Sequence, residues 1–234
     1  MPSQLHSREM YLAYHQLKTA MYGLAIYDSL PESAKEGLPG NFREMFRFGL
    51  EYHDISKTIE NGWTDELLFS ERHPTREEWF EVIKPHPVQA AAVFLQNMIT
   101  DRTAIDVAEF HHVRFDGESF VDVDEEGRTI PPYAGYPRGV VGANLSLGPR
   151  IAKVADAVCA MDEDRPYRNH IYTMEEIMEN VWKRRGTEYD SLIAAAFCGI
   201  ALDSLKEIST SKIDSRVVAE NIEKRIEMLR ATPI

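Results

Sequence analysis

Side chains able to ligate a metal run through this chain from His15 to Asp156. The densest point is Tyr52-His53-Asp54-Ile55-Ser56-Lys57, which holds an imidazole, a carboxylate and an ammonium together. His86, the doublet His111-His112 and Asp156 follow downstream, and His15 lies upstream. Ligands this dispersed do not fit a zinc finger, whose ligands come in closely spaced pairs. They suit a metal centre inside a helical bundle. Imidazole and carboxylate without thiolate favour Fe, Mn, Zn, Co or Ni over Mg or Ca.

Neighbours on a helix diverge by about 100°. His53 and Asp54 can then serve one centre if the carboxylate bridges two ions while the imidazole binds one. His111 and His112 can likewise take one ion each, so two adjacent pairs favour a dinuclear site. Two ions roughly 3.5–4 Å apart hold phosphate oxygens, lower the pKa of a bridging water and steady a leaving oxygen, which is the template for phosphoester hydrolysis. Lys57, four residues after His53 and expected on the same helical face, supplies a cation for the phosphate or leaving group. His6, His73 and His170 lack such company and are expected to be ordinary packed or exposed histidines.

The elements that must position these groups are mostly helical by apolar spacing. Helices are expected over Met10–Leu30, from Asn41 as cap through Glu51, from Thr75, and over Pro87–Met98, Thr103–His112 and Ser146–Met161. Others open at Thr173 and at Asp190 or Ser191, and Asp214 caps a last helix to Arg230, expected to pack on the core. Asp162-Glu163-Asp164 is expected to be a solvated helix end, and Lys183-Arg184-Arg185-Gly186 a helix C-terminus. Residues 117–138 stand apart as a loop, with a short hairpin at Phe120–Val123 and Arg128–Ile130. No internal repeat or linker divides the 234 residues, so one domain is expected.

The net charge of −12 argues against a nucleic-acid polymer or an anionic membrane as partner. Bound divalent cations would still let the site take an anionic small ligand. Cys159 and Cys198 are expected as buried thiols, and with no apolar run of membrane length a cytoplasmic location is expected.

Several short motifs occur in a telling order: His53-Asp54-Ile55-Ser56-Lys57, Lys84-Pro85-His86-Pro87, His111-His112 with Asp116-Gly117, Gly135-Tyr136-Pro137-Arg138-Gly139, Ala152-Lys153-Val154-Ala155-Asp156 and Arg165-Pro166-Tyr167-Arg168. From about His15 to Tyr189 the chain resembles the HD-GYP domain, a bacterial branch of the HD superfamily that hydrolyses cyclic di-GMP. The resemblance implies an all-α HD-domain helical bundle with a loop or hairpin insertion near 117–138, one domain over 1–234 and no separate sensor or receiver domain.

It implies metal ligands His15, His53, Asp54, His86, His111, His112 and Asp156, with Asp54 bridging two divalent transition-metal ions, Fe or Mn foremost and Zn, Co or Ni as alternatives. Lys57 and Asp54 would be the catalytic pair, and Gly135, Tyr136, Pro137, Arg165 and Arg168 the substrate contacts. The implied reaction is hydrolysis of cyclic di-GMP or a related cyclic dinucleotide through a metal-activated hydroxide. A homodimer or a signalling protein is the partner expected besides substrate.

This chain departs from the family at four places. Tyr11 stands where some members carry a Glu one turn before the N-terminal His, which favours two metals over three. Val113 replaces a Glu after the doublet, and Cys159 an acidic position three residues after Asp156. Glu118 to Ala134 form an acidic insertion before Gly-Tyr-Pro. The rivals are another HD-superfamily nucleotide phosphohydrolase or di-iron oxygenase, and a non-catalytic cyclic-dinucleotide sensor.

Overall fold

The computed structural model describes residues 4–58, 62–69, 72–117, 119–123, 129–134, 141–164 and 170–231. In chain order the helices are α1 (Gln4–Ser29), α2 (Phe42–Tyr52), α3 (Asp65–Leu68), α4 (Arg76–Glu78), α5 (His86–Gln96), α6 (Arg102–Phe110), α7 (Leu147–Asp162), α8 (Met174–Lys183), α9 (Ser191–Gly199), α10 (Leu202–Thr210) and α11 (Ser215–Arg230). Between α6 and α7 lies a two-stranded antiparallel hairpin, β1 (Ser119–Val123) with β2 (Thr129–Ala134). The expected all-α bundle with an inserted hairpin is therefore what forms. The second strand runs further than expected, with Ser119 opposite Ala134, and Arg128 lies outside the described residues.

Local capping chemistry sets many helix starts. Thr75 and Thr173 each form a capping box with the Glu three residues on, so two orphan donors are satisfied at once. Asp101, Asp190 and Asp214 accept from the backbone N–H two residues later. Asn41 occupies the start of α2 but does not cap it. Its amide donates instead to Asp101 Oδ2 at 3.0 Å, tying the start of α2 to that of α6. Ser146 likewise reaches across to Asp106 Oδ2, at 2.9 Å. Before α5 the chain makes one π-helical turn over Trp79–Ile83, and α5 begins at His86 itself.

The main core joins α1, α2, α7, α8 and α9 through Tyr22, Ile26, Phe46, Leu50, Ile151, Val158, Ile177, Val181 and Phe197. A second cluster packs α5 against α6 through Ala90, Phe94, Ala104 and Ala108, and Met228 of α11 covers it. The expected packing of α11 on the core holds for Val218 and Ile222, while Val217 faces outward. Cys159 is fully buried and Cys198 half-buried. Among the described residues no helix is long and apolar enough to cross a membrane.

The approach of α2 to α6 depends on one missing side chain. A Cβ on Gly49 would stand 2.9 Å from Val107 Cβ and 3.1 Å from the Ala104 backbone. Backbone atoms cannot yield as a flexible side chain can, so any larger residue pushes the two helices apart. Gly49→Val is expected to lower stability by roughly 1–3 kcal/mol, the usual cost of overpacking. Urea denaturation would measure this, and an unchanged midpoint would show that the helices have room to separate.

Candidate metal centre

α2 ends at Tyr52, so His53 and Asp54 lie in the turn that leads into a 3₁₀ segment, Ile55–Thr58. His53 keeps helical dihedrals, φ −56° and ψ −30°, yet both side chains reach the same cluster, with His53 Nε2 3.5 Å from Asp54 Oδ2. Lys57 is off the expected helical face. It sits in the 3₁₀ turn with Nζ 2.5 Å from Asp54 Oδ2. His111 occupies the end of α6, and its ring centroid lies 4.2 Å from that of His112.

Three imidazoles share one local device. His53, His86 and His111 donate Nδ1–H to the carbonyls of Leu50, Ile83 and Ala108, each three residues earlier, at 2.8, 2.5 and 2.9 Å. A neutral imidazole has one N–H, so each Nε2 keeps a bare lone pair. Those lone pairs face one another, with His86 Nε2 3.4 Å from His111 Nε2. Two unprotonated nitrogens cannot hydrogen-bond. Burial, reinforced by Lys57 for His86 and by His53 for His111, holds both below the ordinary histidine range, and His112 is held there by burial and its neighbour His111.

Asp54 is the centre of the cluster. Its Oδ1 lies 3.1 Å from His86 Nε2 and 3.7 Å from His111 Nε2. Its Oδ2 faces His53 and, at 3.8 Å, His15 Nε2. Asp156 joins this second side, 3.2 Å from His15 Nε2 and 3.8 Å from His53 Nε2. Burial works against the charge on Asp54, but the Lys57 ammonium outweighs it and holds the carboxyl well below its usual range. For Asp156 burial is likewise outweighed, chiefly by the His15 hydrogen bond.

The donor set fits a divalent cation. Asp54 Oδ1 and His53 Nε2 are buried acceptors with no hydrogen-bond partner, a condition that costs about 1–3 kcal/mol each unless something satisfies it. Nitrogens and oxygens that converge with lone pairs inward are what a metal requires. Among the described residues three groups have atoms within ligating reach of one another, His86–His111–His112, His15–His53–Asp54 and His15–Cys159–Glu163, so His111 and His112 fall in one group instead of facing one ion each as expected.

A residue absent from the expected set stands behind His15 of the second group. Glu163 Oε1 accepts the Nδ1 proton of His15 at 2.6 Å, which turns Nε2 toward Asp54 and Asp156. Tyr11 donates weakly to the other Glu163 oxygen, at 3.5 Å, and Cys159 Sγ lies 3.6 Å from His15 Nδ1. Burial opposes a proton on His15, yet Glu163, Cys159 and Asp156 together raise its pKa well above the ordinary value. Burial also raises the Cys159 thiol, and its sulfur sits on the outer nitrogen of the ring, away from the converging donors. Nor is Asp162 solvated as expected, since it accepts from Tyr22 at 2.9 Å and Ser209 at 2.6 Å. The spacing Asp156, Cys159, Glu163 repeats one helical face and was the signal for Glu163.

All the expected ligands, His15, His53, Asp54, His86, His111, His112 and Asp156, thus come together, with Lys57 beside them. Gly135, Tyr136, Pro137, Arg165 and Arg168 lie outside the described residues.

Comparison with known proteins gives a consistent result. The chain is 28% identical over 162 residues to a cyclic di-GMP phosphodiesterase of Thermotoga maritima, covering 69% of this chain and 38% of that protein. It is 28% identical over 166 residues to 3'3'-cGAMP-specific phosphodiesterase 3 of Vibrio cholerae, covering 69% and 29%. The chain spans about a quarter to two fifths of the length of the curated relatives it matches. Its fold is similar to that of the HD domain of the L. monocytogenes phosphodiesterase PgpH, with a TM-score of 0.50 at 18% identity, covering 97% of this chain and 98% of that one. The family model for the HD domain matches residues 12–161, more than half of the chain and a stretch that contains all the converging His and Asp side chains named above; the chain belongs to the HD-domain family.

Proposed function

We propose that this chain is a metal-dependent phosphodiesterase of the HD-GYP kind that hydrolyses cyclic di-GMP or a related cyclic dinucleotide at a dinuclear centre. The observation that carries this is the two-sided environment of Asp54, whose Oδ1 faces His86 and His111 while Oδ2 faces His15 and His53. A carboxylate so placed is suited to bridge two ions, with His86, His111 and His112 on one side and His15, His53 and Asp156 on the other. The activities of the sequence relatives, on cyclic di-GMP and 3'3'-cGAMP, support the substrate class. Nitrogen and oxygen donors support Fe, Mn, Zn, Co or Ni, and the HD-GYP resemblance puts Fe or Mn foremost.

Bound divalent ions would supply Lewis acidity and a water of lowered pKa. The protein's own contribution is position and charge. The three backbone-anchored imidazoles hold their tautomers before any ligand arrives, so no reorganisation is needed. Lys57 pairs with Asp54 in the present arrangement. Once the Asp54 charge is engaged elsewhere, the Lys57 ammonium is placed to meet a phosphate oxygen or the leaving group. Gly135, Tyr136, Pro137, Arg165 and Arg168 complete the proposal as substrate contacts.

Anaerobically purified protein supplied with Mn or Fe is expected to convert cyclic di-GMP to the linear dinucleotide. His53→Ala and Asp54→Ala should each lose bound metal and at least about 100-fold in kcat/KM, since either removes a ligand outright. Full hydrolysis retained in either variant would sink the assignment. Tight dinucleotide binding without turnover would select a sensor, and oxygen-dependent chemistry without phosphodiester cleavage an oxygenase.

Metal binding should also appear in stability. At a free metal concentration about 1,000 times Kd, wild-type protein should gain roughly 4 kcal/mol, read as a rise in Tm that Asp54→Ala lacks. Glu163→Ala should weaken metal binding about 10- to 100-fold, as loss of a carboxylate behind a ligating His does. Competition against a chromophoric chelator measures this, and unaltered affinity would show that His15 needs no such partner.

A further inference from the structure

Beside Asp54 and His15 opens a cavity of about 190 Å³, walled by Trp63 and Trp79 and edged by Lys57 and Arg72. It adjoins the metal ligands but none of the chemistry above uses its far wall. That volume is below the roughly 300–1,000 Å³ of a site for a drug-sized ligand, so the cavity accommodates one part of a cyclic dinucleotide, not the whole.

Charge decides which part. The Arg72 guanidinium is already held by Glu78, at 2.6 and 2.8 Å, and by Glu66 at 3.1 Å. Its charge is therefore engaged by two acids, so Arg72 offers no spare cation to a phosphate. Lys57 alone stands between this wall and Asp54, its Nζ 5.5 Å from the Trp63 ring centroid. A phosphate belongs at the Lys57 end, and the aromatic wall suits a nucleobase.

The wall is built rather than incidental. Gly62 has φ +95°, and a Cβ there would stand 2.8 Å from Val82 Cγ2. The turn carrying Trp63 is thereby pressed against the π-helical turn Trp79–Ile83, which carries Trp79 and leads to His86. Such π turns recur at functional sites. The Trp63 ring lies edge-on to His86 with centroids 6.0 Å apart, and its buried Nε1 has no hydrogen-bond partner. A buried indole N–H ordinarily finds an acceptor, and a purine edge offers one.

We propose that this cavity is a nucleobase subsite, in which Trp63 and Trp79 hold one purine of the cyclic dinucleotide while Lys57 meets the adjoining phosphate. The inference rests on the phosphodiesterase reading, and Trp63 becomes a specificity-determining residue. A base held this way secures binding before the reaction, so its loss should fall on KM more than on kcat.

Two measurements test it in the metal-loaded full chain. Trp182 is exposed on α8 and does not line the cavity, so Trp182→Phe leaves only the two cavity indoles to fluoresce. GMP should quench that emission and ribose 5-phosphate should not; equal quenching by both, or none by GMP, overturns the subsite. In kinetics, Trp63→Leu should lower kcat/KM for cyclic di-GMP by roughly 5- to 150-fold, the range for one stacked base, relative to ethyl p-nitrophenyl phosphate, a phosphodiester without a purine. Trp63→Phe, which keeps an aromatic face, should recover most of that preference and also covers the case of a poorly folded Leu variant. An equal loss on both substrates, or no recovery in Trp63→Phe, overturns the assignment. If wild-type protein cleaves no cyclic dinucleotide, the phosphodiesterase reading fails, while the GMP titration still decides the subsite.

Discussion

His53, His86 and His111 each give their Nδ1 proton to a carbonyl three residues back, and the buried Asp54 carboxylate receives the consequence. With the protons turned outward, bare nitrogens surround a carboxylate that is itself held ionised by Lys57. Nothing in an apolar core would tolerate so many inward acceptors without a positive charge among them. The device uses backbone carbonyls near helix ends, which have no intrahelical donor of their own and are free to accept. Tautomer, ring orientation and helix end are thus one constraint, and the bundle is arranged to satisfy it three times at one point.

That arrangement explains why these three histidines lie where helices stop or start. His53 follows α2, His86 opens α5, and His111 ends α6. A side chain in mid-helix is committed to one face, whereas a terminal residue can turn toward a neighbouring element. The close α2–α6 approach at Gly49 brings two of these ends together, and the Ser56 hydroxyl, 2.7 Å from the His86 carbonyl, ties in the third. α1 and α7 then close the opposite side with His15 and Asp156 from within their helices.

Much of this was legible in the sequence because it is local. The capping boxes at Thr75 and Thr173 each involve four residues, and their helices start where the pattern indicates. The ligand types were legible because His-Asp and His-His doublets are unusual in an otherwise helical pattern. What was not legible depends on packing. No Gly or Pro marks the end of α2 after Tyr52, so His53-Asp54 reads as helix although it turns. Arg225 looks like a polar position of an amphipathic helix, yet it is fully buried, with Nη2 2.6 Å from Gln16 Oε1 and Nε 3.2 Å from Glu9 Oε2 of α1. Glu163 reads as a solvated end because its partner, His15, lies 148 residues away.

The Glu163 contact also gives meaning to two positions that seemed to be losses. Tyr11 and Cys159 stand where the HD-GYP pattern carries acids, and both lie against Glu163, through its carboxylate at 3.5 and 3.7 Å. Helical side chains point back toward the N-terminus, so a Glu four residues beyond Cys159 reaches the space that a shorter acid at 159 would fill. The negative charge is displaced along the helix face, not removed. It meets the outer nitrogen of His15, which leaves His15 Nε2 directed at Asp54 and Asp156.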